Sequence, residues 1–240
     1  MRSVEMNGVD YYRFRNLDRA PGLCHGVLAR NEDLPLPEAS SPMERNRALI
    51  RRIRNGAEPV FARQVHGREV LTVAPPLDDA RVAGEGDAMI TDLPGKVLAI
   101  QVADCQPVLL YDPVRRAVGN VHSGWRGSVV DIVGATVGAM EERFGCRPED
   151  LVAGIGPSLG PCCAEFVNYR EEIPEAYHDF RDERNHFDFW AITRLQLRRA
   201  GLREENIETA GLCTRCNPDN FYSWRGEKTA GRFVAVIGLT

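Results

Sequence analysis

Apolar positions along the chain fall into short, dense runs separated by Gly, Pro, Asp and Asn, the pattern of buried strands joined by turns. Strands are predicted at Val9 to Phe14, Leu23 to Ala29, Pro59 to Val65, Glu69 to Val73, Ala88 to Thr91, Lys96 to Ala103, Ala117 to Val121, Leu151 to Ile155, Asn206 to Leu212 and Arg232 to Leu239. Helical periodicity interrupts them. Ser41-Pro42-Met43-Glu44 has capping-box spacing with Pro at the first helical position, and the helix it opens should run to Asn55-Gly56, burying Ala48, Leu49, Ile50 and Ile53. Its arginines, Arg45, Arg47, Arg51, Arg52 and Arg54, read as a solvated face. A stripe of Val130, Val133, Val137, Met140 and Phe144 predicts a helix over 128–144, and Asp188 caps another that ends before Gly201. Ala164 to Glu172 should begin a further helix. His66-Gly67 reads as a hairpin or sharp bend, Pro35 to Ser40 as a loop, and Asp78 to Asp87 as an exposed acidic loop.

Composition narrows the class. A chain of 240 residues with 43% hydrophobic content can bury a large core, and no linker, repeat or charge block divides it, which argues for one domain over 1–240. A net charge of −4 offers no basic stripe for nucleic acid. No apolar run reaches the roughly 18 residues that span a bilayer, and the opening MRSVEMNGVDYYRF lacks the layout of a secretion signal, so a cytoplasmic protein is expected. Seven cysteines, an odd count at irregular spacing, then argue for thiols over a disulfide framework. Cys213-Thr214-Arg215-Cys216 is a lone C-x-x-C with no second pair following at ribbon or finger spacing.

The chemistry gathers in Val102 to Gly127, VADCQPVLLYDPVRRAVGNVHSGWRG. Cys105 follows one apolar run directly after Asp104, and His122 ends the next. Gly124, Arg126 and Gly127 then form a glycine turn into a helix, whose free amides suit an anion and whose Arg126 adds a bidentate donor. His66 stands at another strand end beside Arg63. His66, Cys105 and His122 are three N/S ligands, the number that leaves a zinc one open position, although spacings of 39 and 17 residues match no compact motif. A Cys105–His122 nucleophile–base pair fits the same residues. His25 reads as a structural histidine, and His178 and His186 fall in a polar connecting stretch.

RQVHG (63–67), GDAMITD (86–92), VADCQPVLLYD (102–112), GNVHSGWRG (119–127), GIGPSLGPCCAEF (154–166) and CTRC with NFYSWR (213–225) together resemble the bacterial laccase-domain, or polyphenol oxidase-like, family. The resemblance covers residues 20 to 240, with two departures: CHGVLARNEDLP (24–35) lacks the paired glycines usual near the start, and at FYSWRGEK Gly226 replaces a second basic residue. It implies a single three-layer α/β/α domain with a mixed sheet, a fold shared with Cys/His toxin deamidases. It also implies a zinc-dependent purine nucleoside phosphorylase with adenosine deaminase activity, taking adenosine, inosine, guanosine and methylthioadenosine. By the same resemblance, His66, Cys105 and His122 bind the zinc.

For deamination, zinc would acidify a water for attack on C6 of the purine, and Asp104 would move protons or orient a zinc-bound His. For phosphorolysis, Arg126 with the amides at Gly124 and Gly127, then Arg63, would hold phosphate. The expected partners are small molecules, the expected assembly a monomer or small homo-oligomer. The alternatives are a cysteine hydrolase and a copper-dependent polyphenol oxidoreductase. A multicopper cluster needs more imidazoles than the five histidines of this chain supply, so copper would be incidental at the zinc site.

Overall fold

A computed structural model describes residues 1–35, 41–75 and 82–240. Its strands are β1 (Arg2–Met6), β2 (Val9–Arg13), β3 (Leu23–Leu28), β4 (Glu58–Arg63), β5 (Val70–Thr72), β6 (Val82–Glu85), β7 (Ala88–Thr91), β8 (Lys96–Val102), β9 (Gln106–Asp112), β10 (Ala117–Ser123), β11 (Val152–Ile155), β12 (Ile207–Thr209) and β13 (Phe233–Leu239). The helices are α1 (Pro42–Ile53), α2 (Trp125–Val129), α3 (Ile132–Phe144), α4 (Tyr169–Glu172), α5 (Phe189–Arg199) and α6 (Trp224–Glu227).

The strands form two mixed sheets, in the orders β1-β2-β3-β13-β8-β4-β6 and β12-β11-β9-β10-β7-β5. They pack face to face. Val27, Leu98, Ile100 and Ala235 of the first meet Leu109, Tyr111 and Val118 of the second in a core from which water is excluded. On the far side of the first sheet α1 lays Leu49 and Ile50 against Phe61 and Val97. On the far side of the second, Val133, Val137 and Met140 of α3 and Leu197 of α5 cover Leu110, Val121 and Ile155. The mixed α/β class holds, with two stacked sheets in place of one. The second sheet explains why β8, β9 and β13 are apolar at nearly every position: central strands covered on both faces have no polar side to show.

The capping signals held, although Arg47 of the expected solvated face of α1 is buried over the Phe61 ring. Ser41 Oγ accepts from Glu44 N at 3.3 Å at the start of α1, and Asp188 Oδ1 accepts from Ala191 N at 2.9 Å at the start of α5. The helix expected over 128–144 is broken. Asp131 takes a left-handed φ of 54° and caps Gly134 N, so α3 begins at Ile132 and Val130 is left exposed. The stretch from Ala164 holds only the single turn of α4. Of the expected acidic loop, 82–85 form β6, while 78–81 and the loop residues 36–40 lie outside the described residues.

The expected hairpin at His66-Gly67 is a crossing between sheets. β4 pairs parallel with β8 in the first sheet, and β5 pairs parallel with β7 in the second. From β4 to β9 successive strands alternate between the two sheets, so the connections β4–β5, β6–β7 and β8–β9 all pass from one sheet to the other. The candidate chemistry lies on those connections.

Candidate metal centre and pocket

His66, on the β4–β5 crossing, has φ 62°, a left-handed conformation that a side chain disfavours. Asp87, on the β6–β7 crossing, supplies the compensation. Its Oδ1 accepts from His66 N at 2.9 Å, and its Oδ2 accepts from Gly67 N at 2.7 Å and Val65 N at 3.2 Å. One buried carboxylate therefore fixes the turn. The same Oδ1 accepts from His122 Nδ1 at 2.7 Å, which commits that nitrogen and leaves Nε2 for the other side of the ring. Cys105, on the β8–β9 crossing, faces both histidines, with its Sγ 3.8 Å from His66 Nε2 and within 4.8 Å of the His122 ring nitrogen. The ligating atoms of His66, Cys105 and His122 all lie within 4.8 Å of one another.

Electrostatics follow the contacts. Burial pushes the Cys105 thiol up, but the facing His122 and His66 more than offset it and lower the thiol to about 6. Burial pulls His122 down, while Cys105 and Asp87 lift it to about 9. Burial raises Asp87, and His122 with the turn amides brings it down to about 2. Asp87, His122 and Cys105 thus form a row in which each group favours the charged form of its neighbour, and a bound cation would displace the proton they share. Two imidazoles and a thiolate suit a borderline metal ion such as zinc, and a carboxylate behind a ligating His is the usual support. Gly124 makes room for the set: a Cβ there would lie 2.9 Å from Cys105 Sγ and 3.1 Å from His66 Cδ2.

The three groups open into a pocket of about 720 Å³. Trp125, Leu159, Phe166, Phe189 and Trp224 give it apolar walls, and Arg63, Arg126, Arg225 and Arg232 also line it. Arg126 is exposed, stacks with its Cζ 4.3 Å above the Trp125 ring, and has no carboxylate partner among the described residues. Arg63 instead pairs with Glu85 on neighbouring β6. Gly124 lies in the pocket wall, but Gly127 does not; it is buried within α2, where a Cβ would meet Ile132 at 3.2 Å. α2 has only 5 residues, too short for the dipole expected of a long helix.

Asp104 lines the pocket without touching either histidine. Its Oδ1 accepts from the Thr214 hydroxyl at 2.6 Å and its Oδ2 from Arg225 N at 2.6 Å. The carboxylate that orients His122 is Asp87, not Asp104. Sequence reasoning passed over Asp87, Arg225 and Arg232; the one available signal was an Asp next to Gly86 immediately before the buried strand β7. The remaining histidines lie elsewhere: His25 is buried against Phe14 N, His178 hydrogen-bonds the Ile173 carbonyl, and His186 faces Asp182.

A two-sheet α/β fold with a His/Cys/His set on its crossings defines a class of proteins with a metal-type centre at the floor of an aromatic pocket, His122 buried and His66 exposed. The chain belongs to the multi-copper polyphenol oxidoreductase laccase family, which it matches over residues 29–240. It is 37% identical over 229 residues to a purine nucleoside phosphorylase of Xylella fastidiosa, covering 91% of this chain and 84% of that one. Among solved structures it resembles YlmD from Geobacillus stearothermophilus, with a TM-score of 0.77, 27% identity, and coverage of 91% and 92% of the two chains. The hypothetical protein YfiH of Bacillus licheniformis shares the fold at a TM-score of 0.81 and 24% identity, covering 97% and 96%. Among the described residues no helix is long and apolar enough to cross a membrane.

Proposed function

We propose that this protein is a zinc-dependent purine nucleoside phosphorylase that also deaminates adenosine. The observation that carries the reading is the convergence of His66, Cys105 and His122, braced by Asp87, at an aromatic pocket with unpaired Arg126 on its lining. The relative's name supplies the substrate class. Bound zinc would supply Lewis acidity at the open side of this donor set.

The chain's own residues do the rest. Trp125, Phe166 and Phe189 offer flat apolar surface to a purine. In phosphorolysis the bond from C1′ to the base nitrogen breaks and one from C1′ to a phosphate oxygen forms, with positive charge developing on the sugar. Arg126, with Arg225 and Arg232, would hold the phosphate, and Arg63 would contribute less because Glu85 already engages it. Each Asp104 oxygen accepts one hydrogen bond and keeps capacity for another, which lets it take a proton from bound substrate.

One observation favours a second reading. Asp87, His122 and Cys105 have the order and protonation of a cysteine hydrolase triad. The two readings part on metal and phosphate. Purified protein incubated with adenosine should release adenine only when phosphate is present and form inosine with or without it; a chelator or His66→Ala should abolish both. Failure of phosphate-dependent base release overturns the proposal. Rapid alkylation of Cys105 in the metal-loaded protein would establish the hydrolase instead. Copper, which such N/S sites bind more tightly than zinc, would explain any oxidation of phenols at the same three residues.

A further inference from the structure

A second group of thiols stands apart from this centre. Cys162 and Cys163 lie in the turn after β11, and Cys213 and Cys216 in the segment after β12. All four sulfurs lie within 4.8 Å of one another, and Cys216 Sγ is 3.6 Å from both Cys162 Sγ and Cys163 Sγ. Four thiolates around one zinc, with Zn–S near 2.3 Å, occupy the corners of a tetrahedron with edges of about 3.8 Å. The observed spacing is within a small side-chain adjustment of that figure. An iron–sulfur cluster sets several irons and bridging sulfides among its cysteines, and needs a wider frame.

The backbone around the sulfurs is already organised. Ser158 and Cys213 form a bridge between the two segments, with Thr214 N donating to the Ser158 carbonyl at 3.0 Å and Ser158 N to the Leu212 carbonyl at 3.2 Å. Gly160 allows the approach, since a Cβ there would lie 3.0 Å from Cys213 Cβ and 2.7 Å from the Trp190 ring. Burial raises Cys213, but the Gly160 and Cys216 amides that donate to its sulfur overcome this and lower it. Cys162 and Cys216 are exposed, which gives an ion a way in.

We propose that Cys162, Cys163, Cys213 and Cys216 form a closed tetrathiolate site for one structural zinc ion. Four protein ligands leave no open position, so the site clips chain and does not catalyse. Its mechanical effect reaches the pocket: Leu159 N donates to the Asp104 carbonyl at 2.8 Å, and the Thr214 hydroxyl holds the Asp104 carboxylate. Residues next to the cysteines thereby fix the residue that precedes Cys105.

The test uses full-length protein purified under reducing conditions. Elemental analysis of the His66→Ala/His122→Ala variant, which keeps only one of the pocket's three donors, should find one zinc per chain. Cobalt loaded into the same variant should give the intense visible bands of a tetrathiolate. Adding Cys213→Ser and Cys216→Ser should abolish both signals, and if that protein does not fold, the cobalt spectrum of the first variant decides alone. Zinc content near zero, iron in its place, or an intact mass showing a disulfide within the cluster would each overturn the proposal.

Discussion

Replacing Asp87 by Asn tests the logic of the centre most sharply, because the change keeps the shape and removes only the charge and one acceptor. Asp87 is fully buried, at 0% exposure, and its two oxygens accept from four donors: the amides of Val65, His66 and Gly67, and His122 Nδ1. An Asn side chain has one oxygen. Whichever way its amide is turned, an NH2 group faces two of those donors and no water can replace the lost partners. Each unsatisfied buried donor costs about 1–3 kcal/mol, so metal-free Asp87→Asn should unfold about 2–6 kcal/mol more easily. Loss of the carboxylate behind a ligating His should also weaken zinc binding by about 10–100-fold. Denaturant unfolding of chelator-treated protein measures the first, and chelator competition measures the second. A variant with zinc affinity within about twofold of wild type and stability within about 0.5 kcal/mol would refute the account of Asp87 as the residue that builds the site.

Three more outcomes follow from particular contacts. Gly124→Ala, whose Cβ would press on Cys105 and His66, should lower zinc affinity about 5- to 150-fold for an overpacking cost of about 1–3 kcal/mol, measured by chelator competition and denaturation; unchanged affinity would show that the ligands can move aside. Arg126→Lys should raise the Michaelis constant for phosphate about tenfold, on the scale of one charge-assisted hydrogen bond, with zinc content unchanged and deamination much less affected; equal loss of both activities would mean a structural arginine. His25 is held down to about 4 by burial and by Arg13, against about 6.5 unfolded. The unfolded chain takes up that proton first as pH falls, so the stability is full above pH 6.5, is lost progressively towards pH 4, and should drop by about 2 kcal/mol between pH 7 and 5. His25→Gln should flatten that stretch of the stability curve, and an unchanged slope would place its origin elsewhere.

Much of the outline was written in local pattern. Ser41 and Asp188 announced their helices because a capping side chain satisfies amides only three residues away, and the strand runs showed because burial selects apolar residues whatever the topology. β9 and β1 are absent from the expected strands: β9 is a short apolar run opened by Gln106-Pro107 directly after Cys105, and β1 carries only the Asn7-Gly8 turn that joins it to β2. His66, Cys105 and His122 were legible as residue types at strand ends, and the resemblance to a family joined them. Their mutual placement was not legible. It depends on the alternation of β4 to β9 between two sheets, which brings three crossings together, and nothing local distinguishes a crossing from a hairpin. Asp87 looked like one acid of an acidic loop, and Cys162 and Cys163 lie 50 or more residues before the C-x-x-C they face. Residue chemistry is a property of the sequence alone, whereas proximity between distant residues is paid for by the packing of whole sheets and exists only once they have formed.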